Sequence, residues 1–227
     1  MHHRGDGGMR VLIVSGTDTG VGKTVVTAAL AALERERGER VAVVKPAQTG
    51  VGPREAGDLD VVRRLSGVTD LHELVRYRDA LAPASAGAGV RPERVAAAVT
   101  RLADRDLVLI EGAGGLLVRL HPEGGTLADV AALLDAPVLV VVRAGLGTLN
   151  HTALTTEALA ARGLACAGIV IGAWPADPDL AAQRNVKDLE TYAGARLRGR
   201  MPAGAGDLGR AAFLSAAREN LTTEVYA

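Results

Sequence analysis

Residues 16–24 read GTDTGVGKT and come directly after the apolar run VLIV of residues 11–14. A glycine-rich loop between a buried strand and a helix is a recurrent nucleotide-phosphate site. Gly20 and Gly22 let consecutive backbone N–H groups turn inward around a polyphosphate. The helix that follows adds the positive end of its dipole. The stretch therefore predicts a phosphate-binding loop in a protein that works by phosphoryl transfer.

Two side chains at the end of this loop carry the chemistry. Lys23 supplies a mobile cation for the β and γ phosphates, and the Thr24 hydroxyl is placed to ligate Mg²⁺. The strict pattern GxxxxGK[ST] has its first glycine at position 17, whereas here Gly16 stands one residue earlier. The alternative is an ordinary glycine-rich turn with a surface lysine. The preceding strand and following helix favour the phosphate loop.

Lysine is rare in this chain. Only three of the 26 basic residues are lysines, namely Lys23, Lys45 and Lys187. Two of them stand in loops that follow predicted strands. An ammonium is a compact point charge that can move with a phosphoryl group, which a planar guanidinium does less well. Lys23 and Lys45 are therefore candidate catalytic residues.

Composition excludes several kinds of partner. The chain has a formal net charge of zero and only five aromatic residues. It lacks both the basic surface expected for nucleic-acid or anionic-membrane binding and the stacking platforms for single strands. Cys166 is the single cysteine, which excludes an intrachain disulfide and a cysteine-based metal cluster. It lies in an apolar run and is expected to be a buried small hydrophobe.

Length and local composition predict one domain. A chain of 227 residues suits a single α/β domain, which we place at residues 9–227. Residues 1–8, MHHRGDGG, are polar and glycine-rich and are expected to be a disordered extension. There is no apolar stretch of about 18 residues and no signal-peptide hydrophobic region, so we expect a cytoplasmic protein.

Strand-like and helix-like segments alternate along the chain. This alternation predicts a three-layer α/β fold of the P-loop NTPase type, with a mostly parallel sheet, helices on both faces, and ligands at the carboxyl ends of the strands. The predicted strands are residues 11–14, 41–44, 107–110, 138–142 and 169–171, and the predicted helices are residues 24–37, 58–66, 92–103, 150–162 and 180–192. Residues 81–89 are predicted to form a loop.

Lys45 opens the stretch KPAQTG that follows the second predicted strand. Pro46 removes a ladder donor and stops the sheet, so Lys45 lies at its rim. A lysine in that place is more often a solvated charge than a catalyst. The phosphate loop on a neighbouring strand reverses that preference.

Glu111 ends the third predicted strand and begins the stretch EGAGG. Mg²⁺ prefers hard oxygen ligands and keeps several waters, so Thr24 with one or two carboxylates would suffice. Glu111 is one candidate ligand, and Asp58 or Asp60 is the other. Either aspartate could instead cap the helix that starts there, and the sequence leaves the two roles open.

The stretch GLGTLNH, residues 145–151, follows the fourth predicted strand and precedes a helix. Its backbone N–H groups could form a second anion site, suited to a carboxylate. The alternative is a tight turn capped by Thr148 or Asn150. His151 has no partner at a telling spacing, and we interpret it as structural.

In these stretches the chain resembles the dethiobiotin synthetase family of biotin biosynthesis along nearly its whole length. The landmarks are GTDTGVGKT, KPAQTG, an aspartate before the next helix, EGAGG and GLGTLNH. A phosphate loop alone is common to many activities, but these five stretches in this order are specific.

The resemblance implies a reaction. In it, 7,8-diaminopelargonic acid takes up CO₂ as an N-carbamate, ATP phosphorylates the carbamate to a carbamic-phosphoric anhydride, and the second amine closes a cyclic urea. The products would be dethiobiotin, ADP and phosphate. The resemblance also implies a homodimer with the substrate between subunits, its carboxylate held by the other chain.

Site residues are carried over by position. Lys45 matches the family's active-site lysine, and Lys23 matches the group that stabilises the transferring phosphoryl. The implied Mg²⁺ ligands are Thr24, Asp58 and Glu111. The implied nucleotide contacts are Gly20, Val21, Gly22, Lys23, Thr24, Val25, Asp58, Glu111, Gly112, Ala113, Gly114, Gly172, Ala173, Pro202, Ala203 and Gly204, and the implied substrate contacts are Thr19, Thr49, Gly147, Thr148, Leu149 and Asn150.

Two positions depart from the family pattern. Gly20 stands where some relatives carry glutamate. Gly172 stands where relatives often place an asparagine that reads the adenine edge, and the loss of that amide removes a paired donor and acceptor. We therefore expect a weaker preference for ATP. Other nucleoside triphosphates, including CTP, would be held by backbone groups near Gly172 and residues 202–205.

Two other members of the same P-loop branch are alternatives. An amide-forming ligase acting on a corrinoid usually requires a glutaminase domain with a cysteine nucleophile, and Cys166 inside a strand is badly placed for that. A partitioning or membrane-positioning ATPase has the loop KGGVGKT, with a second lysine where this chain has Asp18. This chain also offers no basic amphipathic terminal helix for a membrane.

Overall fold

The computed structural model describes residues 8–222, so the predicted extension lies outside it except for Gly8. The strands are β1 (Arg10–Gly16), β2 (Val41–Lys45), β3 (Asp70–Glu73), β4 (Leu107–Glu111), β5 (Val138–Val142), β6 (Cys166–Trp174) and β7 (Leu197–Pro202). The α-helices are α1 (Lys23–Glu36), α2 (Asp58–Ser66), α3 (Pro83–Ala86), α4 (Pro92–Thr100), α5 (Leu127–Leu134), α6 (Thr148–Ala160), α7 (Leu180–Ala193) and α8 (Arg210–Asn220). No helix within this range is long and apolar enough to cross a membrane.

The central strands are buried on both faces, which explains their continuous apolar runs. In β1, Leu12 and Val14 pack with α1, α2 and α8 on one face of the sheet. Ile13 points to the other face, where α4, α5, α6 and α7 pack. The predicted three-layer arrangement is therefore confirmed.

The seven strands form one sheet in the order β3-β2-β4-β1-β5-β6-β7, with every neighbouring pair parallel. The sequence analysis predicted a mostly parallel sheet, and the named strands are entirely parallel. Because β4 lies between β2 and β1, the carboxyl ends of these three strands meet at one edge of the sheet. That edge holds the candidate site.

Two strands and three helices were not predicted from the sequence. The strands β3 (DLHE) and β7 (LRGRMP) are the outermost strands of the sheet and are mostly half-buried, so a continuous apolar run is not needed. The missed helices are α3, α5 and α8. The one-turn helix α3 lies inside the segment that was predicted to be a loop. The strand predicted at residues 169–171 extends over all of β6, and the helix predicted at residues 92–103 ends at Thr100.

Cys166, the first residue of β6, is half-buried rather than fully buried as expected. Burial raises the pKa of its thiol, and a thiol with a raised pKa reacts slowly because the thiolate is the nucleophile. We expect iodoacetamide at pH 8 to alkylate the folded protein about tenfold more slowly than the urea-unfolded chain. Intact mass against time measures both rates, and equal rates would contradict the expectation.

Candidate active site

Strand register brings the predicted catalytic groups together. Val14 at the end of β1 pairs with Glu111 of β4, and Val44 of β2 pairs with Ile110. Lys45, the last residue of β2, therefore lies beside Glu111, and the phosphate loop follows β1 on the other side of β4. Three segments that are distant in sequence meet at adjacent strand ends.

The loop of residues 16–24 has the backbone of a phosphate cradle. Gly20 and Gly22 have φ angles of 71° and 97°, a left-handed conformation that favours glycine. The Lys23 ammonium donates to the Asp18 carbonyl oxygen at 2.8 Å, so it lies over the loop. Burial, together with the nearby Lys45 charge, lowers the pKa of Lys23 to about 8. A polyphosphate in this loop would restore its full charge.

Lys45 is almost completely enclosed, with 2% of its surface exposed. Its ammonium lies 2.5 Å from Asp58 Oδ2, donates to Glu111 Oε1 at 2.8 Å and donates to the Gly112 carbonyl at 3.0 Å. Burial alone would lower its pKa, but the charges of Glu111 and Asp58 outweigh burial and raise it. Lys45 is held charged, so the reading of a solvated surface lysine is wrong.

The two candidate aspartates have different roles. Asp60 Oδ2 accepts from the backbone N–H of Gly57 at 2.9 Å, which closes the first turn of α2. Asp58 instead directs its carboxylate to Lys45. Burial raises the pKa of Asp58, but the Lys45 charge outweighs burial and the net pKa is lowered. Asp58 therefore belongs to the site, and Asp60 is a helix cap.

The oxygens at this edge fit a magnesium ion. The Thr24 hydroxyl donates to Glu111 Oε1 at 2.8 Å, and Asp58 lies 2.5 Å from the Lys45 ammonium that bonds the same Glu111 oxygen. Glu111 Oε2 is buried and makes no hydrogen bond within residues 8–222. Hydroxyl and carboxylate oxygens are hard donors of the kind that Mg²⁺ prefers. The described residues contain no cluster of three or more His, Cys, Asp or Glu side chains suited to a metal, so phosphate and water oxygens would complete its coordination.

These groups open into one cavity of about 580 Å³. Most predicted nucleotide residues line it, together with the predicted substrate residues Thr19 and Thr49. The lining residues from the prediction are Thr19, Gly20, Gly22, Lys23, Thr24, Val25, Lys45, Thr49, Asp58, Glu111, Gly112, Ala113 and Gly114.

The remaining predicted nucleotide residues do not line the cavity. Val21 is buried, and Ala173, Pro202, Ala203 and Gly204 lie at the ends of β6 and β7. Gly172 lies under the phosphate loop. A Cβ on Gly172 would come within 2.0 Å of the Val21 carbonyl oxygen and 2.9 Å of Gly22 Cα. Gly172 therefore has a packing role beneath the loop that sequence reasoning missed.

The predicted second anion site also lies outside this cavity. Gly147 begins α6 with a φ angle of 90°, and no side chain caps the helix, so neither Thr148 nor Asn150 has the capping role. Thr148 is 3% exposed, and its hydroxyl makes no hydrogen bond within residues 8–222. Asn185 Nδ2 fixes the preceding turn by donating to the carbonyls of Ala144 and Gly145 at 2.8 and 2.9 Å.

Several lining residues were missed by the sequence analysis. Gln48 is 4% exposed and lines the cavity, as do Val118 and residues 80–83. A signal existed for Gln48, since it is the polar side chain of the stretch that begins at Lys45. The segment 80–83, ALAP, has no residue type that would mark a site.

Known proteins resemble this chain along most of its length. Residues 10–206 match the family model described as "AAA domain". The chain is 61% identical to the "ATP-dependent dethiobiotin synthetase BioD" of Frankia casuarinae, over 94% of this chain and 92% of that protein. It is 64% identical to the protein of the same name from Parafrankia sp., with the same coverage of both chains. The chain belongs to the dethiobiotin synthetase family. Membership in the dethiobiotin synthetase family confirms the resemblance inferred from the five sequence stretches.

Solved structures confirm the fold of this dethiobiotin synthetase family member. The MinC:MinD cell division protein complex of Aquifex aeolicus aligns with a TM-score of 0.60 at 16% identity, over 92% of this chain and 95% of that one. The septum site-determining protein MinD of Pyrococcus horikoshii OT3, complexed with Mg-ADP, aligns with a TM-score of 0.58 at 20% identity, over 93% and 95%. At these identities the likeness concerns the α/β fold alone.

Proposed function

We propose that this protein carries out ATP-dependent formation of dethiobiotin from 7,8-diaminopelargonic acid and CO₂. The observation that carries the proposal is the charge arrangement at the strand ends. The Lys45 ammonium lies between the carboxylates of Asp58 and Glu111, and Thr24 of the phosphate loop bonds the same Glu111 oxygen. With a metal ion on the two carboxylates, Lys45 and Lys23 would be free to hold the negative charge that a phosphorylated carbamate gathers.

The proposed reaction has three balanced steps. One amine of the substrate adds to CO₂ and loses a proton, which gives the N-carbamate. A carbamate oxygen attacks the γ-phosphorus of ATP, so a new P–O bond forms and the bond to ADP breaks. The second amine then attacks the carbamoyl carbon, expels phosphate and loses a proton, which closes the cyclic urea.

The chain's own residues divide this work. The backbone N–H groups of residues 20–25 hold the triphosphate, and Lys23 follows the transferring phosphoryl group. Lys45 holds the carbamate and γ-phosphate oxygens in line. Thr49 and Thr19, which line the same cavity, contact the diamine.

Magnesium is part of this proposal. Thr24, Asp58 and Glu111 would hold the ion, which supplies positive charge against the β and γ phosphates. The buried Glu111 Oε2, which makes no hydrogen bond within the described residues, supports this assignment. The metal ion would neutralise the carboxylates of Asp58 and Glu111, which would free Lys45 to contact the nucleotide.

We further propose a cytoplasmic homodimer with the substrate between subunits. Gly147, Thr148, Leu149 and Asn150 lie outside the cavity of their own chain, which supports a role in the site of a second copy. The backbone N–H groups at the start of α6 and the buried Thr148 hydroxyl suit the substrate carboxylate.

The function is tested by mixing the purified protein with diaminopelargonate, bicarbonate, Mg²⁺ and ATP and seeking the cyclic urea by mass. Dethiobiotin and ADP should form in equal amounts. Reactions without substrate, or with a non-hydrolysable ATP analogue, are the controls. ATP hydrolysis without dethiobiotin would contradict the proposal.

Nucleotide preference is a separate prediction. Because Gly172 offers no amide to the base, we expect CTP and other nucleoside triphosphates to support turnover or to compete with ATP within about tenfold in affinity. Competition assays with all four triphosphates at fixed Mg²⁺ measure this. A strong exclusive preference for ATP would show that other groups read the adenine.

A further inference from the structure

Asp58 depends on a long loop for its position. It is the first residue of α2 and follows residues 46–57, which leave β2 at Lys45 and then return. Its carboxylate is about one-third exposed, yet it must stay 2.5 Å from the Lys45 ammonium. A loop of this length does not fix such a contact unless other groups restrain it.

Gln48 provides the first restraint. Its buried Oε1 accepts from the Asp58 backbone N–H at 2.9 Å, which fixes the start of α2. The backbone of Gln48 is itself tied to the segment after β3, because its N–H donates to the Val75 carbonyl at 2.9 Å and its carbonyl accepts from Tyr77 at 2.8 Å. Arg76 lies between these two partners.

Arg76 provides the second restraint through its guanidinium. Nε and Nη2 donate to the two carboxylate oxygens of Glu73 at 2.6 and 2.8 Å, a bidentate pair that fixes the plane of the group. Nη1 then donates to the carbonyls of Gly52 and Glu55 at 3.0 and 2.8 Å. The side chain of Arg76 is only 21% exposed. One cation therefore connects the edge strand to the middle of the loop.

The contact with the loop is close at Gly57, the residue before Asp58. A Cβ there would lie 2.8 Å from Arg76 Nη2 and 2.9 Å from Gln48 Oε1. The chain thus passes against both restraints immediately before it delivers Asp58 to Lys45. We name Glu73, Arg76 and the carbonyls of Gly52 and Glu55 the Arg76 clasp.

We propose that Arg76 is a positioning residue of the phosphoryl-transfer site, acting through the Arg76 clasp and Gln48 to hold Asp58 against Lys45. Arg76 does not line the cavity, so its effect on the reaction is indirect. The proposal rests on the proposed function for its consequence on turnover. Its structural part, a loop held closed by Arg76, is independent of the substrate.

The loop provides its own reporter, since Arg54 within it is a trypsin site. In Arg76→Met, which removes the guanidinium and keeps much of the side-chain length, we expect cleavage after Arg54 to be about tenfold faster than in wild type, because proteolysis follows the open population. Mass spectrometry identifies the fragments ending at Arg54 and beginning at Glu55. Arg101→Met, at an exposed arginine directly after α4, is the matched control and should behave as wild type.

The second readout is the magnesium dependence of turnover. With Asp58 released, we expect the half-saturating Mg²⁺ concentration of Arg76→Met to rise about tenfold, and excess Mg²⁺ to restore most of kcat. Nucleotide affinity without metal should not change, because the phosphate loop is untouched. A variant that was merely less stable would lose active enzyme without any shift in Mg²⁺ half-saturation.

Glu73→Gln tests the same contact if Arg76→Met fails to fold. It weakens the bidentate pair and leaves Arg76 in place, so both readouts should shift in the same direction by a smaller factor. Wild-type cleavage and wild-type Mg²⁺ dependence in Arg76→Met would overturn the proposal. Faster cleavage with unchanged Mg²⁺ dependence would also overturn it, because the loop would then open without moving Asp58. If wild type made no dethiobiotin, the proposed function would fail while the cleavage assay still decided whether the clasp holds the loop.

Discussion

Lys45→Ala is expected to lower the rate of dethiobiotin formation by about a thousandfold while leaving nucleotide binding largely intact. In the proposed mechanism, Lys45 supplies the buried ammonium that faces the transferring group, whereas the phosphate loop and Lys23 bind the nucleotide. Product formation followed by mass at saturating substrates measures the first quantity, and calorimetry with ATP measures the second. Turnover at the wild-type rate would show that the assigned role of Lys45 is wrong.

The same substitution should also destabilise the protein. Removal of Lys45 takes away the ammonium bonded to both Glu111 and Asp58 and leaves Lys23 as the nearby cation, and breaking a buried pair in this way costs about 3 kcal/mol. Because Mg²⁺ in the proposed site would compensate these carboxylates, it should raise the melting temperature of the variant more than that of wild type. Lys187→Ala, at an exposed lysine of α7, is the matched control and should change neither activity nor stability.

Gly172→Asn is expected to disrupt nucleotide binding rather than to confer ATP specificity. The new Cβ would overlap the Val21 carbonyl oxygen at 2.0 Å and lie 2.7 Å from Val141 Cγ1. The phosphate loop must therefore move before the amide can reach any base. We expect at least about a tenfold loss of ATP affinity, together with a loss of stability of about 2 kcal/mol from overpacking. Equilibrium binding and thermal melts measure the two effects.

Gly172→Ala and Gly206→Ala separate packing from base recognition. Alanine at position 172 introduces the same clash without an amide, so it should weaken binding in the same way. A Cβ at Gly206 meets only Val25 Cγ2 at 3.5 Å, an ordinary contact, and should be tolerated. If Gly172→Asn bound ATP as tightly as wild type and discriminated against CTP, the phosphate loop would accommodate a side chain at position 172. That result would contradict the prediction.

The sequence predicted the parts of the fold whose causes are local. The runs that became β1, β2, β4 and β5 are apolar because both faces of the sheet are covered, and each gave a clear signal. The edge strands β3 and β7 gave none, since half-exposed strands tolerate charged residues. The phosphate loop was recognised because the glycines and Lys23 that bind phosphate stand together in one short stretch of sequence.

The geometry of the site depended on information outside any local stretch. The sequence placed Lys45 and Glu111 at strand ends, but only the order of β2, β4 and β1 makes them neighbours. The sequence could not decide whether Asp58 or Asp60 belongs to the site. The structure decides it, because the Asp58 carboxylate contacts Lys45 and the Asp60 carboxylate caps α2. Arg76 was missed because only the fold brings the loop carbonyls of Gly52 and Glu55 to its guanidinium. Gln48 stood in the recognised stretch KPAQTG, but its bond to the Asp58 backbone N–H could not be read from the sequence.

The contact between Gly22 and Gly172 limits how this protein can evolve. The two positions touch through main-chain atoms alone, so neither can gain a side chain until the backbone around the other has shifted. A lineage carrying this pair cannot place an asparagine at position 172 by one substitution without moving the phosphate loop. An asparagine at position 172 would first require a compensating change in the phosphate loop. Any change of base preference at this position is therefore coupled to the backbone that binds the phosphates.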